Sequence, residues 1–278
     1  MKRLVAILLV LTFCGTLFAQ NSADSLLFQN FLRFAVKEKL EKKPAGERVA
    51  AVGKFFLGTP YVAFTLEAPG QECLQVNLRG LDCTTLVENA LALSRLVVSK
   101  THDFDTYKNL LTSIRYRNGV LNGYPSRLHY ASDWLSDNVQ KGFVSFVQLG
   151  NNADTLYPNV SYMTSHPDAY AALKADPKLV SVIAEQEARI NKMSFIYLPK
   201  GNVTEKAACI RNGDIIAIST SYPGLDFAHL GIAVRQKGKI HLLHASSTGK
   251  KVLISETPLS VYLAGIKKHS GIVVVRPL

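Results

Sequence analysis

Apolar positions along the chain change their spacing once, near residue 192. Before that point they recur at helical intervals. Leu26, Leu27, Phe31, Phe34 and Ala35, then Val49, Val52, Phe55 and Phe56, predict helix within 24–57. Gly58-Thr59-Pro60-Tyr61 is a stop and a turn. Residues 62–80 read as loop with short extended pieces. Residues 84–98 form the clearest helix, with Leu86, Ala90, Leu93 and Val97 on one side and Asp82 as its N-cap. Residues 101–190 read as mostly helical and irregular. After 192 the pattern shortens to β-rich runs: 194–198, 214–218, 230–234, 240–244, 252–255 and 271–275. Arg211-Asn212-Gly213 and Gln236-Lys237-Gly238 are turns between them. Helices first and antiparallel strands after define an α+β class.

The first apolar run is of another kind. Lys2 and Arg3 precede a largely apolar stretch, Leu4 to Phe13, and Ala19 supplies a small residue for cleavage. This predicts a secretory signal peptide over 1–19, too short to span a bilayer. Lipid attachment through Cys14 is disfavoured by the bulky Phe13 before it. No other segment approaches eighteen continuous apolar residues. The expectation is a periplasmic or secreted mature chain, 20–278, with no transmembrane segment. Nothing inside it resembles a linker, so we read a single domain with a helical insertion over about 101–190.

Composition narrows this further. Of 278 residues, 47% are hydrophobic and 19% charged, which excludes a disordered chain. The formal charge is +11, but Lys and Arg are scattered, and Lys37–Lys43 contains Glu38 and Glu41. That argues against nucleic acid as a partner. Loss of 1–19 would remove Lys2 and Arg3 and lower the charge to +9. Export would also leave three cysteines, Cys73, Cys83 and Cys209, an odd number in an oxidising compartment. Cys73 and Cys209 are expected as buried thiols or a disulfide, with Cys83 unpaired.

Cys83 is the candidate for chemistry. It follows the cap Asp82 and opens the best helix, where the helix field and free backbone N–H groups favour a thiolate and an oxyanion. A lone cysteine there is as often a small buried hydrophobe. The histidines change the weighing. His229 opens the run HLGIAV and His244 ends the next run, IHLLH. A hairpin through 235–239 would set the two side by side, with His241 facing the other way by strand alternation. One imidazole could then take the thiol proton while the second orients it.

The order GTPY, DC at a helix start, HLGIAV and HAS resembles the NlpC-like cysteine peptidases. DCTTLVEN, SRLHYASDWLSDN and SHPDAY resemble the N-acetylmuramoyl-L-alanine amidase-like family within them, from about Phe56 to the C-terminus. The resemblance implies a papain-like fold, with the nucleophile helix packed on an antiparallel sheet or partial barrel. It implies Cys83 as nucleophile, His229 as base, His244 as third member, and Tyr61 beside the nucleophile as a possible oxyanion donor. Thr84-Thr85 replace the small residues usual after the cysteine. The implied reaction is hydrolysis of the amide between N-acetylmuramic acid, in its 1,6-anhydro form, and L-Ala of muropeptides.

Tyr124, Arg127, Tyr130, Asp133 and Trp134 are candidates for substrate contact, since aromatic faces suit sugars and arginine suits carboxylates. Packing or surface ion pairs are the ordinary fate of such residues, and Glu67 and Glu88 are read the same way. The expected partners are peptidoglycan fragments, with the chain a monomer. No cofactor is expected. No metal site is expected either, since there is no Cys-x-x-Cys and the HxxH at 241–244 falls in a strand. The alternatives are a stem-peptide endopeptidase cutting between D-Glu and the diamino acid, an inactive secreted binding protein, and an acyltransferase sharing the triad.

Overall fold

The computed structural model describes residues 23–67, 70–150, 153–203 and 207–278. The expected signal over 1–19 lies outside them. Residues 23–37 form α1, followed by α2 (Ala45–Phe55), α3 (Cys83–Leu96) and α4 (Phe104–Arg115). The helical stretch expected over 24–57 is therefore two helices. Lys39 adopts a left-handed φ of 52°, a 3-10 turn covers Leu40–Lys42, and Pro44 restarts the chain at the head of α2.

The middle of the chain carries α5 (Ala131–Gln140), α6 (Tyr162–Ser165), α7 (Ala171–Ala175) and α8 (Lys178–Ile190). It also supplies two strands that hydrophobic spacing did not reveal, β1 (Val144–Phe146) and β2 (Asp154–Leu156). Each is three residues long, too short to show an alternation. The later strands are β3 (Phe195–Pro199), β4 (Ile215–Thr220), β5 (Phe227–Gln236), β6 (Lys239–Ser246), β7 (Lys251–Ile254) and β8 (His269–Pro277), with α9 (Leu259–Ala264) before the last. All six late runs expected from the sequence are strands, most of them longer than expected.

They form one antiparallel sheet in the order β2-β3-β8-β4-β5-β6-β7, with β1 also paired to β8. Alternation sorts the side chains into two layers. Ile215, Ala217, Ile232, Leu243 and Val273 join the core under α1 to α5. Ile216, Ile218, Leu242, Ile272 and Val274 join a second core with Leu259 and Leu263 of α9. Each fully buried Leu or Ile contributes about 1.5–3 kcal/mol of transfer free energy.

Two local features fix where the site forms. The β5–β6 hairpin closes on Gln236 paired with Lys239, and its two loop residues, Lys237 and Gly238, both have positive φ (48° and 80°). That turn matches the twist of the strands and locks their register. Asp82 caps α3, accepting from the Thr85 N–H at 2.8 Å while the Thr85 hydroxyl accepts from the Asp82 N–H at 2.9 Å. This reciprocal cap is worth about 1 kcal/mol and fixes the first turn of α3.

Candidate active site

Cys83 is the first residue of α3, and α3 packs against β5 and β6. Cys83, His229, Leu230 and Tyr61 line one cleft of about 390 Å3. The His229 Nε2 lies 2.7 Å from the His244 Nδ1, with the rings edge to face and their centres 4.9 Å apart. Adjacent strands β5 and β6 thus couple the two imidazoles, as the hairpin spacing predicts. His241 faces the other way, buried, with Nδ1 2.8 Å from the Ser255 carbonyl. Its role is to tie β6 to the chain after β7.

Among the described residues no hydrogen bond joins the Cys83 thiol to His229. The thiol sulfur lies 4.0 Å from Thr84 Oγ1. Cys83 is partly exposed where it lines the cleft. Burial, reinforced by the Asp82 carboxylate, pushes the thiol up to about 11. The sequence-based expectation of a resting thiolate does not account for these two effects: the residue that caps the helix also places a negative charge beside the sulfur. Burial, with the neighbouring imidazoles adding to it, pushes His229 down to about 3. Burial alone takes His244 to about 4. The resting trio is a neutral thiol and two neutral imidazoles. Burial, with the Cys83 and Asp82 charges, also raises the Tyr61 phenol, which stays protonated and able to donate.

The expected substrate residues divide. Arg127 and Tyr130 line the cleft, whereas Tyr124 and Trp134 do not. Trp134 is 1% exposed, in the helical core. Tyr124 is buried, with its ring 4.4 Å from His129 and 4.9 Å from the Arg127 guanidinium. Asp133 is buried and paired with Arg117 at 2.7 Å, outside the cleft. Arg127 is occupied by the protein itself, donating to the Leu66 carbonyl (2.7 Å) and Glu67 (2.6 Å) and pairing with Glu72 at 3.6 Å. Tyr130 donates to Glu187 at 2.7 Å and accepts from the Met163 N–H at 3.0 Å. Both build the cleft wall. Glu88 also borders the cleft and pairs with Arg115 at 2.8 Å.

Cys73 and Cys209 are neither buried nor joined. Cys73 is exposed, Cys209 is partly exposed, and both are free thiols. Their backbones are fastened to different elements: the Cys73 carbonyl to the Tyr116 hydroxyl after α4, and the Cys209 carbonyl to Arg276 on β8.

Sequence reasoning missed Tyr262, on α9, whose ring stands 5.3 Å from His244, and His269, 5.9 Å from Tyr262. It also missed Asp226, whose buried carboxylate receives the Ser132 N–H at 2.7 Å and its neighbour Phe227's N–H at 2.7 Å, joining α5 to the start of β5. None carries a sequence signal; their positions follow from packing. Among the described residues no group of three or more His, Cys, Asp or Glu is placed to hold a metal ion, and no helix is long and apolar enough to cross a membrane.

An α+β architecture with a cysteine and a histidine lining one cleft, the histidine coupled to a second on the next strand, fits the class of hydrolases. The chain belongs to the N-acetylmuramoyl-L-alanine amidase-like family of cell-wall hydrolases, whose model matches residues 51–272. It is similar to an N-acetylmuramoyl-L-alanine amidase from Bacteroides uniformis: 42% identity, TM-score 0.79, covering 84% of this chain and 98% of that one. A Bacteroides fragilis protein described as a putative xylanase is also similar, at 40% identity and TM-score 0.77, covering 82% and 99%. A Legionella pneumophila protein at 22% identity and TM-score 0.68, covering 93% and 95%, shares the fold. A search of curated proteins finds no match.

Proposed function

We propose that this protein hydrolyses the amide between N-acetylmuramic acid, in its 1,6-anhydro form, and L-Ala of soluble muropeptides, by a Cys83–His229–His244 mechanism of the NlpC-like type on a papain-like fold. The observation that carries this is the 2.7 Å contact between His229 Nε2 and His244 Nδ1, in the strand that shares a cleft with Cys83. With Nε2 engaged, Nδ1 is the His229 nitrogen left for the thiol.

In this reading the thiol proton passes to His229 Nδ1 as the sulfur attacks the lactyl carbonyl carbon. The neutral resting pair makes transfer and attack concerted rather than stepwise. The carbonyl electrons move to oxygen, and the Cys83 backbone N–H at the start of α3 and the Tyr61 hydroxyl donate to that oxyanion. His229 then protonates the L-Ala amine as the C–N bond breaks, leaving a thioester. Water, deprotonated by His229, releases the muramic carboxylate and the thiol. His244 holds the His229 ring and shares its positive charge. The glycosidase activity suggested by one relative's description needs two free carboxyl groups across the cleft. Of the four acidic residues lining the cleft, Glu67 and Glu88 are each tied to an arginine, Asp82 caps α3, and Asp226 accepts two backbone N–H groups.

Residues 1–19 serve as the export signal in this reading, and a cell-wall enzyme family is consistent with an extracytoplasmic location. Mass spectrometry of products from defined muropeptides tests the bond. Free L-Ala-peptide plus sugar is expected; a sugar–dipeptide product means cleavage between D-Glu and the diamino acid. Cys83→Ala should abolish turnover with an unchanged circular-dichroism spectrum, and full activity in that variant overturns the mechanism.

A further inference from the structure

Beside the cleft lies a second cavity of about 220 Å3, bordered by Tyr157, Asn159, Ser221 and Tyr222. Leu225 and Asp226 line both cavities, so the two adjoin. Its two tyrosines are turned to solvent, Tyr157 68% exposed and Tyr222 48%. Aromatic rings of this size normally recover their transfer free energy in a core, and a shared hollow that leaves two of them uncovered has room for a ligand.

The hollow is built rather than incidental. Tyr222-Pro223-Gly224-Leu225 is a β-turn closed by the Leu225 N–H donating to the Tyr222 carbonyl at 3.2 Å. Proline at its second position and Gly224 at φ 77° at its third define type II. The Gly224 carbonyl accepts the N–H groups of Ser161 and Tyr162 at 3.1 Å each, which pins the turn to the start of α6. A Cβ at 224 would come within 3.1 Å of Ser161 Oγ and 3.2 Å of the Tyr162 nitrogen. The Tyr162 ring meets Tyr222 edge-on at 6.2 Å, and Lys268 Nζ lies 5.8 Å from the Tyr222 ring centre. A ring held this way gives up little rotational freedom on binding.

Charge selects the class of ligand. Asp226 is the one ionisable group besides tyrosine among the lining residues, and its carboxylate is buried and engaged by two backbone N–H groups. The rest of the wall is tyrosine faces, hydroxyls and the exposed amide of Asn159. Such a surface suits a neutral ring with an apolar face and an acetamido group, and the Lys268 ammonium nearby faces the Tyr222 ring. We infer that the hollow is a subsite for the neutral N-acetylhexosamine glycosidically joined to the muramic acid; this rests on the amidase reading of the neighbouring cleft.

The test compares kcat/KM for two muropeptides of the same peptide, one on the disaccharide and one on anhydromuramic acid alone. The disaccharide substrate should be favoured by roughly two- to tenfold, the range that one aromatic contact contributes. Tyr222→Ala and Tyr157→Ala should erase that preference while leaving the shorter substrate's kcat/KM unchanged. Tyr222→Phe, which keeps the ring, should retain it. Equal rates for the two substrates in the unaltered protein overturn the subsite and leave the amidase reading standing. So does a variant that slows both substrates alike. If neither substrate is cleaved, the amidase reading fails on its own, and saturation-transfer NMR with N,N′-diacetylchitobiose decides the subsite. Transfer that disappears in Tyr222→Ala supports it, and absence of transfer to the unaltered protein overturns it.

Discussion

Replacing Arg115 by Met should cost more stability at pH 7.5 than at pH 5. Arg115 Nε donates to Glu88 Oε2 at 2.8 Å, both side chains are 2% exposed, and Arg115 Nη1 donates to the Gln75 carbonyl at 2.5 Å. Losing one partner of such a pair strands the other, at about 3–5 kcal/mol. That is a large share of the 5–15 kcal/mol typical of a folded protein. Burial already holds the Glu88 carboxyl above its ordinary range, and Arg115 is the main group opposing that shift. Without Arg115 the carboxyl rises further, so the folded variant binds a proton that the unfolded chain has released. Its stability then falls by about 1.4 kcal/mol per pH unit as pH rises between the unfolded and folded pKa values. Below the unfolded value the carboxyl is neutral in both states and this loss vanishes. Urea unfolding at the two pH values reads the difference directly. Glu88→Leu combined with Arg115→Met should recover much of the loss, since no charge is left buried, with about 1 kcal/mol still missing from the Gln75 hydrogen bond. A single variant that loses under 1 kcal/mol at pH 7.5, or a penalty that does not change with pH, refutes the reasoning.

Other expectations are simpler. His229 and His244 are held well below the ordinary imidazole range, so the unfolded chain binds protons that the folded one refuses. Stability from this source is full above pH 6.5 and declines as pH falls toward 4, and His244→Gln should flatten that decline in a series of melting temperatures. Gly213→Ala should destabilise by about 1–3 kcal/mol in the same urea assay. Its φ is +81°, and the new methyl would sit 1.7 Å from the Gly46 carbonyl oxygen of α2. A neutral result there would mean that α2 can draw away from the sheet.

Much of the site could be read before any coordinates. Asp82 is a short acceptor before an apolar periodic run, so the helix start, and with it Cys83, followed from local chemistry. His229 and His244 followed from two alternating runs joined by a turn that admits positive φ. The limits have equally local causes. Whether the sulfur is charged depends on how deeply α3 is buried and on which way the Asp82 carboxylate charge acts, and neither is written in residue order. Arg127 could be named as a cleft residue, but its partners Leu66 and Glu67 lie sixty residues earlier, in a loop without periodicity. β1 and β2 exist because β8 and β3 offer them edges. Tyr262 reaches His244 only because α9 packs against β6, and His269 stands beside Tyr262 because α9 also packs against β8.

The two walls of the cleft differ in kind. His229 sits on β5, where it pairs with Ile218 of β4, and its ring is tied to His244 of β6. The facing stretch, Tyr61 to Glu67, includes Phe64 at φ 61° and 79% exposed, and it is fastened at Leu66 and Glu67 by the Arg127 guanidinium. On the proposed mechanism, chemistry and capacity therefore belong to separable parts of the chain: the sheet would carry the proton path, while the strap borders the space open to a guest. A change at Arg127 would then alter what the cleft admits before it alters the reaction.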